Sequence, residues 1–270
     1  MTTSSRPTRD RRGRIMEIVE EQGYCTTAEL SREFDVSDMT IRRDVQKLVA
    51  DGRLRSVHGG VTALPQTALA GTDFRSRVER MRSTKDAIAE FAARDLPDVG
   101  AVALDAGTTT LALALAIPPE ARLHVVTPSL AVANTLLAHE YVEIVCLGGS
   151  LHHQTQSFAG PATLAAIAEL RLRRLYLAAS GVNADGVYCG NHFDAMTKRA
   201  LVDVADEVVL LADSSKFSIS AMVRACTLDD VDRIVTDDGI PDPDHEALLA
   251  HGVEVSIVSR AEAQGDKEEA

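Results

Sequence analysis

The stretch from Ser37 to Gly60, SDMTIRRDVQKLVADGRLRSVHGG, constrains this chain more than any other. Ser37 is a helix-capping residue. Ile41, Val45, Leu48 and Val49 follow it at the three- and four-residue spacing of a helix with one buried face. Asp51-Gly52 ends that helix. A basic ribbon, Arg53 to Val61, comes next, with Leu54 and Val57 placed to pack and Arg53, Arg55 and His58 placed to face outward. The paired Gly59-Gly60 allow a tight reversal. Capped helix, stop and basic ribbon, in that order, are the parts of a winged helix-turn-helix, which lays one helix in the major groove of DNA.

The preceding residues complete the module. Ile15, Ile18 and Val19 form an apolar stripe that Gly23 stops. Thr26 or Thr27 caps a second helix, and Glu29, three residues after Thr26, permits a capping box. Leu30 and Phe34 supply its buried face, and Asp35-Val36 turns the chain into Ser37. The third helix carries Asp38, Thr40, Arg42, Arg43, Gln46 and Lys47 on its outer face, with Met39 a further candidate for the packed side. Arginine grips guanine through two hydrogen bonds, and polar groups near a helix N-terminus suit the major groove. Thr40, Arg43 and Lys47 are expected to divide between phosphates and base edges. Arg42 joins them unless it pairs with a carboxylate. A solvated face explains any basic pair taken alone; the short helix, tight turn and ribbon around this one favour DNA. His58 stays open between a structural turn residue and a DNA contact. With Thr27 and Ser37 at the two helix starts, the expected DNA-facing set is Thr27, Ser37, Thr40, Arg42, Arg43, Lys47, Arg53, Arg55 and His58.

The net charge of −12 over 270 residues argues against nucleic acid only when averaged. Residues 1–64 carry 11 Lys and Arg against 10 Asp and Glu, so the acidity belongs to the remainder. The Arg-rich start, Arg6 to Arg14, reads as a DNA-facing arm or a frayed end. Cys25, Cys146, Cys189 and Cys226 are far apart, without metal-ligand spacing, and fit reduced thiols in a cytoplasm. No apolar run reaches membrane-spanning length, and no signal-peptide core is evident. No cofactor, metal or catalytic residue is expected.

Residues 62 to 83 lose the helical period and contain Pro65 and Gly71, which reads as a linker with Phe74, Arg75 and Val78 docking at its far end. A helix is expected from about Thr84 to Leu96, with Ala87, Ile88, Phe91 and Ala92 inward. From residue 99 apolar strands alternate with helices. The strands are Ala101–Leu104, His124–Thr127, Val142–Leu147, Arg174–Ala179, Val208–Ala212, Arg233–Val235 and Val253–Val258. Such alternation implies a largely parallel sheet with helices on both faces and ligands at the carboxyl ends of the strands.

Polar residues gather at those ends. They are Asp105-Ala106-Gly107-Thr108-Thr109-Thr110, Thr127-Pro128-Ser129, Leu147-Gly148-Gly149-Ser150 and Asp213-Ser214-Ser215-Lys216. Gly107 lets the backbone approach a ligand, and threonines at a helix start set hydroxyls beside free N–H groups, which suits a phosphate. Each end has a plainer explanation: Asp105 or Thr108 as a helix cap, Lys216 as a solvated lysine, Lys198 and Arg199 as an exposed helical face. Four polar ends on one parallel sheet point instead to an anion-binding pocket.

Both halves resemble one family. TTAELSREFDVSDMTIRRDVQKL (Thr26 to Leu48) and GRLRSVHGG (Gly52 to Gly60) resemble the N-terminal domain of the DeoR family of bacterial transcriptional regulators. DAGTTT (Asp105 to Thr110), VVTPS (Val125 to Ser129), LGGSL (Leu147 to Leu151), Gly160-Pro161, KRAL (Lys198 to Leu201) and LLADSSKF (Leu210 to Phe217) resemble its C-terminal sensor domain. The likeness covers residues 10 to 240. It implies a sensor similar in fold to ribose-5-phosphate isomerase and the CoA-transferase-like group. It implies that a phosphorylated sugar or related metabolite releases a repressor from its operator. By motif, the implied effector contacts are Asp105, Gly107, Thr108, Thr109, Thr110, Ser129, Gly149, Lys198 and Lys216. Three positions depart from the family pattern. Pro128 stands where Asn is common, Ala178-Ala179-Ser180-Gly181 where Gly-Ala-Asp-Gly is common, and Asp194, slightly displaced, where a Glu precedes the Lys-Arg pair.

The expected architecture is therefore an α/β chain. A winged helix-turn-helix occupies residues 9–62, a linker 63–83, a mainly parallel α/β effector-sensing and oligomerisation domain 84–260, and a flexible tail 261–270. The expected function is a cytoplasmic, homodimeric or homotetrameric regulator, most readily a repressor of carbohydrate-metabolism genes. Its partners would be double-stranded operator DNA and a phosphorylated sugar, with no membrane. Two alternatives stand beside it: a sugar-phosphate isomerase with an accessory domain, which Ser180-Gly181-Val182-Asn183 disfavours for want of a carboxylate, and a DNA-binding protein whose second domain only oligomerises.

Overall fold

The apolar stripes of the N-terminal residues close on one another in the computed structural model, which describes residues 11–16, 18–19, 24–50, 54–57, 60–63, 74–97 and 99–259. The chain divides into two units, Met1–Gln66 and Thr67–Ala270. In the first, a helix at residues 11–16 and 18–19 (α1) is followed by β1 (Tyr24–Thr26), α2 (Thr27–Glu33), α3 (Asp38–Ala50), β2 (Leu54–Val57) and β3 (Gly60–Ala63). Ile15, Val19, Leu30, Ile41, Val45, Leu48, Leu54 and Val61 are buried together. The expected capping box is present: Thr26 Oγ1 accepts from the Glu29 N–H at 3.1 Å, and Glu29 Oε2 accepts from the Thr26 N–H at 2.7 Å. The ribbon is the antiparallel pair β2–β3, and β1 adds to it in the order β1-β3-β2.

Two details differ from the sequence reading. β1 was not expected, because three residues are too few to show a period of two. Met39, expected as a packing candidate, is 73% exposed. At about 3.6 residues per turn it falls opposite Ile41, Val45 and Leu48, not beside them.

Among the described residues of this unit, one charged side chain is buried. Asp44, on α3, is 2% exposed and takes Arg11 through Nε at 2.8 Å and Nη2 at 2.7 Å, and Arg12 through Nε at 2.7 Å. The buried carboxylate of α3 thus joins α1 to α3, and Arg42, for which a carboxylate partner was weighed, is exposed.

The second unit begins with α4 (Phe74–Glu79), α5 (Arg82–Ala93), β4 (Ala101–Leu104), α6 (Thr108–Ala116), β5 (Leu123–Thr127), α7 (Leu130–Leu136) and β6 (Val142–Cys146). A hairpin of β7 (Ser150–His152) and β8 (Ser157–Ala159), then α8 (Pro161–Ala168), β9 (Arg174–Ala178), β10 (Gly181–Asn183), β11 (Gly186–Cys189) and α9 (His192–Asp203) follow. The unit closes with β12 (Val208–Leu211), β13 (Val223–Cys226), β14 (Arg233–Asp237), α10 (Asp242–Ala250) and β15 (Glu254–Val258).

The seven strands expected from the sequence form one sheet, ordered β15-β14-β12-β9-β4-β5-β6, with every neighbouring pair parallel. Strand residues alternate between two cores. Val102, Leu104, Val125 and Val209 pack with Ile88 of α5, Leu113 of α6 and Val132 of α7. Ala103, Val126, Leu175 and Leu210 pack with Ile167 of α8, Leu201 of α9 and Leu248 of α10. Strand order reverses at β4, with β5 and β6 to one side and β9, β12, β14 and β15 to the other. The carboxyl ends of β4 and β9 therefore flank a topological switch point, where open α/β sheets bind ligands.

The shorter elements were not legible. The β7–β8 hairpin and the antiparallel sheet β10-β11-β13 lie in stretches read as connections. So does α4, a six-residue helix at the far end of the expected linker, whose Phe74 is 3% exposed.

Removing the Asp44 carboxyl should loosen α1 from α3. Asp44→Ala is expected to cost about 1.5–3 kcal/mol, the worth of hydrogen bonds to a charged group, while exposed Arg42→Ala changes stability by under about 0.5 kcal/mol. Urea unfolding with amide exchange read in α3 checks both.

Candidate functional site

α3 has two sides. Ile41, Val45 and Leu48 are buried, whereas Met39, Arg42, Arg43, Gln46 and Lys47 are exposed. At its start the Ser37 carbonyl accepts from the Thr40 N–H at 2.8 Å, and the Ser37 and Thr40 hydroxyls lie 2.9 Å apart. Ser37 is exposed and Thr40 half-buried; Thr27 is half-buried at the first position of α2. Arg53 and His58 lie outside the described residues, and of Arg55 only the backbone, in β2, is described.

The second unit concentrates charge at the switch point. Asp105 follows β4 and is fully buried. Its Oδ2 accepts from the Ala178 N–H, at the end of β9, at 3.0 Å and from the Lys198 ammonium of α9. Lys198 is 2% exposed and lies 3.5 Å from Asp194 Oδ1. Burial alone pulls the Lys198 pKa down, but Asp105 and Asp194 outweigh it and hold the ammonium above the ordinary lysine range. Burial lifts the Asp194 carboxyl; Lys198 opposes this and Asp105 adds to it. Asp105 Oδ1 is buried without a hydrogen-bond partner.

A second charged group stands two strands away, after β12. Asp213 is fully buried, and its Oδ1 accepts from the Ser215 N–H at 3.2 Å and from the Ser215 hydroxyl. Its Oδ2 has no hydrogen-bond partner, and Lys216 Nζ is 3.7 Å from it. Burial raises the Asp213 pKa, but Lys216, the Ser215 hydroxyl, Lys85 and Arg80 together take it below the ordinary carboxylate range. Lys85, in α5, was not singled out from sequence, because a lysine in an amphipathic helix looks solvated. It is 3% exposed, and its ammonium donates to the carbonyls of Arg77, at 2.5 Å, and Arg80. Burial pulls its pKa down to about 8; Asp213 opposes that, while Lys216, Arg80 and Arg77 reinforce it.

Several residues expected to touch an effector have roles within the fold. Thr110 Oγ1 donates to the carbonyls of Asp105 at 2.6 Å and Gly107 at 3.0 Å. Ser129 Oγ accepts from the Val132 N–H at 3.3 Å and caps α7. The close approach at Gly107 is to β9: a Cβ there would stand 2.3 Å from Ala178 Cβ. Gly149, at φ +134°, would set a Cβ 2.2 Å from Thr163 Oγ1. Thr108 and Thr109 open α6, whose N-cap, Gly107, supplies no side-chain bond, so its first N–H groups lack a side-chain cap.

The departures also find places. The Pro128 carbonyl accepts from the Phe158 N–H at 2.8 Å, closing the β7–β8 hairpin over the end of β5. Asp194 reaches Lys198 despite its displacement. Ser180 is buried and its N–H donates to the Tyr188 carbonyl at 2.9 Å; Asp185, the nearest carboxylate in sequence, is exposed on the β10–β11 turn. Among the described residues, no three His, Cys, Asp or Glu side chains are grouped to hold a metal ion.

This arrangement suits a small anionic polyol. Two buried carboxylate oxygens without hydrogen-bond partners can accept hydroxyl donors, and a helix start without a side-chain cap attracts a phosphate. The two carboxylates stand two strands apart, about 10 Å at ordinary strand spacing.

Comparison with known proteins accords with this division. A family model of the DeoR-like helix-turn-helix domain matches residues 11–67, and one of the DeoR C terminal sensor domain matches residues 80–238. The glycerol-3-phosphate regulon repressor of Escherichia coli (strain K12) is 34% identical over 244 residues, 90% of this chain and 96% of that protein. The HTH-type transcriptional regulator IolR of Bacillus subtilis (strain 168) is 30% identical over 248 residues, 90% of this chain and 98% of that one. Among solved structures, ribose 5 phosphate isomerase A from Neisseria gonorrhoeae matches 52% of this chain and 54% of its own at 16% identity and a TM-score of 0.38, a likeness that says nothing of activity.

Two stability measurements probe the charged groups. Lys198→Met should cost about 3–5 kcal/mol by stranding Asp105, and adding Asp105→Asn should return at least about 1 kcal/mol. Folded Lys85 releases its proton near pH 8 and the unfolded chain near pH 10.4. Between these values unfolding takes up a proton, so the stability owed to Lys85 rises with pH. From pH 7.5 to 9.5 the difference between wild type and Lys85→Met should move in favour of wild type by about 1–2 kcal/mol, read by urea unfolding.

Proposed function

The chain belongs to the DeoR family of transcriptional regulators, and on that premise we propose that it represses carbohydrate-metabolism genes until a phosphorylated sugar or polyol, seated at the β4–β9 switch point, releases it from its operator. It is a DNA-binding regulator and not an enzyme. The observation that carries the effector reading is Asp105 Oδ1, a buried carboxylate oxygen without a hydrogen-bond partner three residues before a helix start without a side-chain cap; two strands away Asp213 Oδ2 also lacks a hydrogen-bond partner and has only the Lys216 ammonium 3.7 Å from it. A phosphate fits the N–H groups of Thr108 and Thr109, and hydroxyls fit the carboxylates. Relatives named for glycerol-3-phosphate regulation support that class of ligand.

On this reading residues 9–62 hold DNA, 63–83 link, and 84–260 bind effector and join the copies of a cytoplasmic homodimer or homotetramer. Thr40, Arg43 and Lys47 approach base edges and phosphates, with Thr27, Ser37, Arg42, Arg53, Arg55 and His58 around them. Gly107, Thr110, Ser129 and Gly149 shape the effector pocket, while Asp105, Thr108, Thr109, Lys198 and Lys216 stand nearest the ligand. Copies related by a two-fold axis place two α3 helices on operator half-sites. The effector acts by binding better to the arrangement in which those helices are wrongly spaced; only such a difference in affinity shifts occupancy.

A thermal-shift panel of phosphorylated sugars and polyols, followed by operator titration with any hit, tests the proposal. At least one member should raise the melting temperature and lower operator affinity. Stabilisation by none would favour a second unit that only oligomerises. Arg43→Ala should weaken operator binding by about tenfold or more, and Lys216→Ala should raise the sugar-phosphate concentration needed for release. Operator affinity should fall steeply with salt. Normal operator binding by Arg43→Ala would place the reading helix elsewhere.

A further inference from the structure

Among the described side chains of α3 one apolar group is exposed, and it lies in the middle of the face turned away from the core. Met39 is 73% exposed. Arg43 and Gln46 follow it at intervals of four and seven residues, so the three side chains form one line along the helix. Ile41, Val45 and Leu48 hold the opposite side, buried at 0%, 6% and 2%. A methionine left in water forgoes the burial its thioether chain would gain in the core, and here it shares the exposed side of α3 with Arg42, Arg43 and Lys47, with Asp38 at the helix start. That combination fits a surface completed by a partner both anionic and locally apolar. The major groove of DNA is such a partner, with phosphates along its edges and, among the bases, the thymine 5-methyl as the apolar group.

Position on the helix narrows the contact. Met39 is the second residue of α3, in the N-terminal turn that enters the groove most deeply in a helix-turn-helix. Its neighbour Thr40 is held by Ser37, with the two hydroxyls 2.9 Å apart, so the turn that presents Met39 is fixed while the methionine keeps its own rotamers. We infer that Met39 is a specificity-determining residue that reads a thymine methyl in each operator half-site, beside the contacts of Arg43. The inference rests on the reading of α3 as the DNA-recognition helix.

Uracil in place of thymine removes the methyl and leaves base pairing unchanged. An operator is selected from random duplex DNA with the full-length wild-type protein, and each thymine is then replaced by uracil in turn. At one or two positions per half-site, wild type should lose about fourfold in affinity, the equivalent of one methyl group at about 0.8 kcal/mol. Met39→Gln should bind the thymine operator more weakly than wild type and be indifferent to uracil at those positions. Uracil without effect at every position, or with equal effect on wild type and Met39→Gln, overturns the inference. Arg43→Ala separates this failure from failure of the underlying reading. If Arg43→Ala loses the operator while uracil is silent, only the role of Met39 falls. If Arg43→Ala binds normally, or no sequence emerges from selection, the reading helix is misplaced and the inference falls with it.

Discussion

The ion pair between Lys198 and Asp105 joins the elements on which the sensor half depends. A charge inside a sheet protein is tolerated only when it is paired and hydrogen-bonded. Asp105 meets that condition through the Ala178 N–H of β9 and the ammonium of α9, so one carboxylate ties the first strand of the sheet, its neighbour across the reversal of strand order and a helix on one face. It uses only Oδ2 for this. Oδ1 is buried without a hydrogen-bond partner, so the group that closes the fold keeps one acceptor unused.

The DNA-binding half follows a similar logic with a different result. Asp44 sits on α3 between exposed Arg43 and buried Val45, and it is buried against Arg11 and Arg12 of α1. The pair fixes how α3 leaves the core and turns Met39, Arg43 and Gln46 outward together. Both halves thus place one buried carboxylate at the base of a functional surface. On the proposed reading, the carboxylate at the switch point would stand beside an effector, and that of the winged helix behind the face offered to DNA.

Much of this was legible in the sequence, for physical reasons. The inner strands of the sheet are apolar runs buried on both faces, and the edge strands β6 and β15 are apolar enough to show by composition as well; the capping box at Thr26 and Glu29 needs only local chain to form. Met39 was misplaced because its apolar character was weighed and its angular position about the helix was not. The short elements β1, β7, β8, β10 and α4 were missed because they are too brief to carry a period. The partnership of Asp105 with Lys198 was invisible because it joins residues remote in sequence, and Lys85 because a lysine in an amphipathic helix looks solvated. At Gly107 and Gly149 a Cβ would meet neighbouring protein, a close approach whose partner the motif alone does not report.

The central claim is that the switch point and α3 are two sites of one equilibrium, and reciprocity tests it most directly. Linkage requires that the factor by which a sugar phosphate weakens operator affinity equal the factor by which operator weakens sugar-phosphate affinity. Titration calorimetry of a stabilising sugar phosphate into free protein and into the protein–operator complex, set beside operator titrations with and without that sugar phosphate, measures both factors. The account predicts two equal factors well above one. A sugar phosphate that binds free and operator-bound protein equally well would contradict it.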